Sequence, residues 1–197
     1  MRVIIDGENL RHQLAHVLYM HKKIQSANDY FSFALRKFIE DALGEKKLEI
    51  VYVAARVSMP KNRVPVQLKQ KISAVNEANR QWTADLKRQN IIVEKAGFLR
   101  VKESGKCFSC GKKTLGLQEK GVDVRVGVDL LGAKASSRVV LISSDSDLIP
   151  AIVAAKAKVD YFCYAGWLNR AIAANCAKTL TYDDKHVLKH FISKETA

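Results

Sequence analysis

Three aspartates follow short apolar runs that have the composition of buried β-strands. Asp6 comes directly after the run at residues 3–5, and Asp145 and Asp147 come shortly after the run at residues 139–142. In a doubly wound parallel sheet, ligands bind in the crevice outside the carboxyl ends of the strands. If the two strands are neighbours, the three carboxylates converge at one edge of the sheet.

Converging carboxylates repel one another, so at least one of them would hold its proton unless a cation compensated the charge. Mg²⁺ and Mn²⁺ prefer oxygen ligands and take a few carboxylates together with waters and substrate phosphates. Such an ion lowers the pKa of water and stabilises the leaving oxygen in phosphodiester hydrolysis. The alternative is that each aspartate only caps the helix after its strand. For a set of three in a basic protein we favour the metal site.

The rest of the chain has the pattern of an α/β domain with a mostly parallel sheet, because short β-branched runs alternate with longer helical patterns. Strands are predicted at residues 3–5, 48–54, 91–95, 139–142, 159–164 and 179–182. Helices are predicted at residues 30–43, 68–90, 122–133, 147–156 and 169–177. The first of these helices would be capped by Asn28 or Asp29 and end at Gly44, and Asp183 with Asp184 would cap a last helix.

The length of the chain suits one domain over residues 1–197 with one small insertion. Residues 101–119 break the α/β pattern, because they are rich in Lys and Gly and hold Cys107 and Cys110. We interpret this segment as a small basic CxxC insertion.

The CxxC spacing of Cys107 and Cys110 is that of one half of a zinc ribbon, and a Zn²⁺ site there would need two more ligands. The other cysteines, Cys163 and Cys176, belong to the predicted core. The second pair would therefore come from the core or from the CxxC of a second chain in a homodimer. The alternative is a basic loop that carries free thiols.

Three motifs span most of the chain, and they are VIIDGEN at residues 3–9, EKGVDVRVGVDLL at residues 119–131 and LISSDSDLIPAI at residues 141–152. In this order they resemble the NYN domains of the LabA-like family, which are relatives of the PIN nucleases. The resemblance implies a Rossmann-like, PIN-like three-layer sandwich with an acidic metal site at the C-terminal edge of its sheet. It also implies ribonuclease activity, which we expect to be that of an endoribonuclease.

The resemblance also implies roles for individual residues. Asp6, Asp123, Asp145 and Asp147 would hold one or two Mg²⁺ or Mn²⁺ ions and act as the catalytic groups. Asn9 would orient Asp6 or a phosphate.

Other residues of the three motifs would support the site. Ser143 and Ser144 would donate hydrogen bonds to a carboxylate or a phosphate. Asp129 lies six residues after Asp123, which places it roughly 120° away around a helix. For Asp129 a helix-packing or solvated acid is as good an interpretation as a supporting role, and Glu8 is expected to face solvent.

The charge of the chain favours a polyanionic partner. The sequence holds 33 Lys and Arg and 20 Asp and Glu, which gives a net charge of +13. Between residues 56 and 125 there are 16 basic and 6 acidic residues, so most of the excess lies in one stretch. We expect this stretch to bind the RNA backbone with strong salt dependence and little sequence specificity. The residues chiefly expected to do so are Arg56, Lys61, Arg63, Lys69, Lys71, Lys87, Arg88, Lys112 and Lys113.

The two tryptophans have different predicted environments. Trp82 lies in the apolar stripe of the second predicted helix and is expected in the core. Trp167 follows the fifth predicted strand at the functional edge. There the ring could stack on a base, which is worth about 1 to 3 kcal/mol per base, or it could simply pack against the protein.

Two rival functions stay open beside the nuclease. A catalytically inactive adaptor would keep the fold and the basic surface and would bind RNA without cleaving it. A small-molecule phosphohydrolase would use the same carboxylates, but an extended basic surface argues against a small substrate.

The N-terminus reaches Asp6 before a signal-peptide core could form, and no apolar run approaches bilayer length. We therefore expect a cytoplasmic protein that does not enter the membrane.

Overall fold

The computed structural model describes residues 1–26, 29–57, 66–106, 110 and 113–193. Within these residues the main sheet has seven strands, which are β1 (Arg2–Asp6), β3 (Glu49–Val57), β4 (Ile92–Lys106), β5 (Lys113–Lys120), β6 (Arg138–Ile142), β7 (Lys158–Tyr164) and β8 (Lys178–Tyr182). A second sheet pairs β2 (Ser32–Phe33) with β9 (Phe191–Ile192). The helices are α1 (Gly7–Met20), α2 (Leu35–Leu43), α3 (Val66–Arg88), α4 (Val122–Leu131), α5 (Ile149–Ala154), α6 (Arg170–Asn175) and α7 (Asp184–His190).

The main sheet has the strand order β5-β4-β3-β1-β6-β7-β8. All neighbouring strands are parallel except β5, which runs antiparallel to β4. When the six parallel strands are numbered along the chain, their order is 3-2-1-4-5-6, which is that of a doubly wound Rossmann-like sheet. The prediction of an α/β fold with a mostly parallel sheet is therefore confirmed, and the strand order reverses between β1 and β6.

Helices cover both faces of the sheet because alternate residues of its central strands are apolar on both sides. In β1, Val3 and Ile5 pack into one core with α1, α2, α3 and α7, and Ile4 packs into the other with α4, α5 and α6. Such double burial accounts for the continuous apolar runs of β1 and β6. Within the described ranges, no helix combines the length and apolar character needed to cross a membrane.

The region before α2 differs from its prediction as part of a longer helix. Phe31 and Phe33 are buried on the same side, and β2 at this point pairs antiparallel with β9. Asp29 accepts hydrogen bonds from the backbone of Gln25 and Ser26, so its predicted role as the cap of this helix is wrong. Gly44 does end α2, in the left-handed conformation, as predicted. Asn28, the other cap candidate, lies outside the described residues.

Within residues 101–119, which the sequence predicted as an insertion, the described residues 101–106 and 113–119 continue the main sheet. The second half of β4 pairs with β5 in an antiparallel arrangement that matches Val101 with Leu117. This pair forms one outer edge of the sheet. Its turn carries Cys110, whereas Cys107 lies outside the described residues.

Candidate functional site

Asp6 ends β1 and caps α1, which places it at the carboxyl edge of the sheet where the strand order reverses. Its Oδ1 accepts a hydrogen bond from the backbone N–H of Asn9 at 3.2 Å. Its Oδ2 accepts one from the hydroxyl of Ser143 at 2.9 Å. Asp6 therefore does cap α1, as the alternative interpretation predicted. Only Oδ1 serves as the cap, and Oδ2 faces Ser143 at the end of β6.

Gly7 allows the chain to turn directly from β1 into α1. A Cβ at this position would lie 2.4 Å from the ring of Tyr52 and 2.5 Å from the carbonyl oxygen of Val53. The phenol of Tyr52 donates to the carbonyl oxygen of Gly7 at 2.7 Å. The close packing of α1 on β3 fixes the position of Asp6.

Asp6 is a buried acid with a perturbed pKa. It is only 7% exposed, and burial raises its pKa from 3.8 to about 6. The hydrogen bonds from Asn9 and Ser143 oppose this rise, whereas the charges of Asp145 and Glu8 add to it. A titratable group of this kind in a cleft is a candidate for function.

Ser143 connects the acid at the end of β1 with the acids that follow β6. Its hydroxyl donates to Asp6 and also accepts the backbone N–H of Asp145 at 3.1 Å. Asp145 in turn caps a short 3-10 turn, because its Oδ1 accepts the N–H of Asp147 at 2.9 Å. Asp145 is half-buried and Asp147 is exposed.

A second set of hydrogen bonds holds Asn9 and Ser144 together. The side-chain oxygen of Asn9 accepts the N–H of Ser144 at 3.1 Å and the amide of Gln13 at 2.7 Å. Gln13 also donates to the hydroxyl of Ser144 at 2.7 Å and accepts from the phenol of Tyr182. Asn169 donates to the carbonyl oxygen of Ser144 at 3.1 Å.

Gln13, Asn169 and Tyr182 belong to this network, although they were not among the predicted site residues. The available signal for Gln13 was a polar residue within the apolar stripe of a helix that follows the VIIDGEN motif. It is 1% exposed, and a buried amide needs hydrogen-bond partners.

Asp123 and Asp147 lie in a different grouping from Asp6. Both line a shallow hollow of about 340 Å³ between α4 and α5, next to Gly127 and Ala151. In the part of the chain that the structure describes, no three His, Cys, Asp or Glu side chains form a metal-binding group. Of the four predicted aspartates, Asp6 and Asp145 are linked through Ser143, and Asp123 and Asp147 line one hollow.

Asp6 and Asp145 suit a divalent cation that has few protein ligands. Each carboxylate oxygen has two lone pairs, so both oxygens of Asp6 keep acceptor capacity after the bonds from Asn9 and Ser143. A cation would also offset the repulsion between the two acids. Mg²⁺ is commonly held by one or two carboxylates together with waters and substrate phosphates. This donor set fits Mg²⁺ or Mn²⁺.

Asp129 lies away from the acidic edge. Its carboxylate is buried and contacts Arg125 at 3.2 Å and Arg2 at 3.9 Å. Because Arg2 begins β1 whereas Asp6 ends it, Asp129 points toward the opposite edge of the sheet. It packs α4 against β1 and does not contact the candidate site.

Of the basic residues predicted to bind RNA, those whose side chains the structure describes are exposed, as nucleic-acid contacts require. These are Arg56, Lys69, Lys87 and Arg88. The guanidinium of Arg88 pairs with Asp85, and Nε of Arg56 donates to the carbonyl oxygen of Lys95 at 3.3 Å. Lys61, Arg63 and Lys112 lie outside the described residues, as do the side chains of Lys71 and Lys113.

Cys110 lies in a different region of the sheet from Cys163 and Cys176, which belong to one core cluster. Cys163 is buried in β7, Cys176 precedes β8, and Cys110 is exposed in the turn after β4. Four strand spacings separate β4 from β7, which is about 19 Å. Cys163 and Cys110 therefore belong to different regions of the sheet and do not complete one intrachain zinc site. Burial raises the pKa of Cys163, and that of Cys176 to about 11.

Trp167 lies beyond the end of β7 and is partly packed and partly exposed. Its ring is 4.9 Å from that of His16 and 6.0 Å from that of Tyr164, measured between centroids. The exposed fraction of Trp167 is 39%. Part of the ring is therefore packed against the protein, and part remains exposed for stacking on a base.

Comparison with known proteins gives a structural neighbour without a known role. No protein family matches the sequence, and neither does any curated protein. A crystal structure of VPA0982 from Vibrio parahaemolyticus, a protein of unknown function, is similar with a TM-score of 0.54. The two chains are 13% identical, and the similarity covers 97% of this chain and 94% of the other. The likeness therefore concerns the fold alone.

Proposed function

We propose that the protein is a metal-dependent ribonuclease that hydrolyses RNA phosphodiester bonds at the edge between β1 and β6. The observation that carries the proposal is the hydrogen-bonded link from Asp6 through Ser143 to Asp145. This link lies at the switch point of a Rossmann-like sheet, where such folds bind ligands. It holds two acids together although their mutual repulsion raises the pKa of one of them.

In this proposal Asp6 and Asp145 hold Mg²⁺ or Mn²⁺. When bound, the ion would lower the pKa of a water molecule and stabilise negative charge on the phosphate. Ser143 keeps the two carboxylates in place. Asp123 and Asp147, which line the neighbouring hollow, would bind waters of the site or a second ion.

The charge distribution supports RNA as the substrate class. The exposed cations of β3 and α3, namely Arg56, Lys69, Lys87 and Arg88, belong to the most basic stretch of the chain. An extended cationic surface suits a polynucleotide backbone better than a small phosphate ester. We place this activity in the cytoplasm.

One observation favours a second candidate, an RNA-binding adaptor that does not cleave. Among the described residues no three His, Cys, Asp or Glu side chains form a metal-binding group. An adaptor would use the same basic surface, and Asp6 and Asp145 would act only as caps. Cleavage therefore has to be measured together with binding.

The test uses labelled single-stranded RNA with Mn²⁺ and compares the wild-type protein with Asp145→Asn. Asparagine caps a turn as well as aspartate does, so the variant should fold. Glu45→Gln, which removes one negative charge from an exposed turn after α2, is the matched control. Cleavage that is lost in Asp145→Asn and kept in Glu45→Gln supports the nuclease. Binding without cleavage by the wild-type protein supports the adaptor.

A further inference from the structure

A cavity with both polar and apolar lining residues lies beside the acidic edge, between β3, β4 and α3. It has a volume of about 290 Å³, and Glu8 forms part of its wall. The register of β3 and β4 shifts between Ala54 and Arg56, which both line the cavity. Such irregularities redirect side chains next to binding sites. Because Glu8 lies in the first turn of α1, two residues after Asp6, the cavity adjoins the proposed catalytic edge.

The cavity changes in character from its base to its rim. Tyr52 and Trp82 are buried aromatic residues at its base. Asn79 and Thr83 are half-buried and provide polar groups along its wall. The exposed residues at its rim are Arg56, Asn76, Arg80 and Lys95.

Trp82 has a buried donor that the described residues leave without an acceptor. The side chain is 3% exposed, and its indole Nε1 makes no hydrogen bond within the described structure. This donor is directed toward the phenol of Tyr52 without the geometry of a full hydrogen bond, and the interaction opposes the rise that burial causes in the pKa of that phenol. A buried N–H without an acceptor is costly, so a ligand that supplied one would be stabilised.

Arg11 provides a second group that an anionic ligand would satisfy. The residue is 8% exposed. Among the described residues, its guanidinium donates to the neutral side-chain oxygen of Asn79, which lines the cavity. A buried positive charge without a countercharge is unfavourable. An anion in the cavity would therefore stabilise the protein.

We propose that this cavity binds one nucleotide of the RNA, with the base against Tyr52 and Trp82 and the phosphate at the cationic rim. A nucleotide combines a flat apolar face, hydrogen-bond acceptors and a negative charge at one end. These features match the aromatic base of the cavity, the incompletely bonded indole N–H, and the cations Arg56 and Lys95 at its rim, with Arg11 behind the lining residue Asn79. The inference rests on the proposed function, because this nucleotide would be a neighbour of the bond that is cleaved.

The direct test follows the indole N–H signals in a ¹H–¹⁵N spectrum. The chain has 2 tryptophans, and the half-exposed Trp167 is replaced in Trp167→Phe, so the remaining signal belongs to Trp82. Adenosine and uridine 5′-monophosphates are titrated with EDTA present. We expect the signal of Trp82 to shift with a Kd near 1 mM, an affinity typical of one weakly held group. A signal that neither nucleotide moves, or that inorganic phosphate moves equally, overturns the inference.

A blocking variant tests the cavity in the context of RNA. Asn76→Trp places a large side chain at the exposed rim, and Ala74→Trp places the same side chain at an exposed position outside the cavity. Binding of a labelled single-stranded oligonucleotide is measured by fluorescence anisotropy in EDTA. We expect Asn76→Trp to weaken binding about tenfold and Ala74→Trp to change it less than about twofold. Equal affinities for the two variants contradict the inference.

These readouts separate the cavity from catalysis because neither requires cleavage. Nucleotide binding at Trp82 without cleavage of RNA would support the cavity as a nucleotide site and contradict the proposed function. Cleavage of RNA by a protein whose Trp82 signal does not shift with either nucleotide would support the proposed function and overturn the inference about the cavity.

Discussion

The hydroxyl of Ser143 lies 2.9 Å from Oδ2 of Asp6 and joins two strands whose residues are 137 positions apart in the chain. The same hydroxyl accepts the backbone N–H of Asp145. Because a donor stabilises the charged form of a carboxylate, Ser143 limits the rise that burial causes in the pKa of Asp6. The link therefore sets both the position and the charge of the proposed catalytic acid.

Ser143→Ala should raise the pKa of Asp6 above its present value of about 6. It should also lower the free energy of unfolding by about 1 to 3 kcal/mol, because a buried acceptor and a backbone donor lose their partner. The pKa is measured by carboxyl NMR titration and the stability by urea unfolding at pH 7. Ser146→Ala, at an exposed position in the same loop, should change the stability by less than about 0.5 kcal/mol. An unchanged pKa of Asp6 would contradict this role of Ser143.

Asp6 should destabilise the fold at neutral pH. Its pKa is about 6 in the folded protein against a usual value of 3.8, so the folded state binds the proton more tightly. The resulting stabilisation is fully present below pH 3.8 and is lost as the pH rises through 6. At pH 7 this loss amounts to about 3 kcal/mol.

Asp6→Asn should therefore raise the free energy of unfolding at pH 7, by up to about 3 kcal/mol. The gain should shrink toward pH 4, where the wild-type residue is largely protonated. Urea unfolding of both proteins between pH 4 and 8 provides the comparison. Asp183→Asn is the control, because the backbone bond from His186 lowers the pKa of that aspartate and no gain is expected. A difference in free energy of unfolding between Asp6→Asn and the wild-type protein that does not depend on pH would rule out this electrostatic origin.

The strands and their order along the chain were open to prediction because β1 and β6 contain continuous apolar runs and β7 is mostly apolar. The N-terminal part of the helix predicted at 30–43 was wrong because Phe31 fits the helical spacing of Leu35 and Phe38 but also the strand alternation with Phe33, and pairing with β9 decides between the two. That partner lies about 160 residues away, so a local pattern cannot identify it.

The site was predictable only in part, for a similar reason. Asp6, Ser143 and Asp145 stand at strand ends, and strand ends of a parallel sheet share an edge. Asp123 and Asp147 line one hollow because of the way α4 packs against the turn after β6, and local sequence does not indicate this packing. Gln13 was missed because nothing in its local sequence indicates contact with Ser144, 131 positions later.

Gly7→Ala should destabilise the protein strongly. The new methyl group would lie 2.4 Å from the ring of Tyr52 and 2.5 Å from the backbone of Val53, and neither can withdraw without moving β3. We expect a loss of about 1 to 3 kcal/mol, as for other overpacked core positions. Gly127→Ala is the control, since its Cβ would make an ordinary contact of 3.5 Å with Ala151 and favour helix α4. Thermal unfolding of both variants gives the comparison, and equal melting temperatures would show that α1 can shift.

Mn²⁺ should stabilise the wild-type protein at pH 7 and should do so through Asp6 and Asp145. A ligand that binds only the folded state at a hundred times its Kd contributes about 2.7 kcal/mol, which a thermal shift detects. The shift should disappear with EDTA and in Asp6→Asn and Asp145→Asn, and it should persist in Glu45→Gln.

The same shift should depend on pH in a way that identifies the ligand. Protons compete with the cation for Asp6, whose pKa is about 6, so the stabilisation by Mn²⁺ should fall between pH 7 and pH 5. A cation held only by Asp123 and Asp147 would not follow the titration of Asp6. Equal stabilisation of Asp6→Asn and the wild-type protein would place the ion elsewhere and leave Asp6 as a helix cap alone.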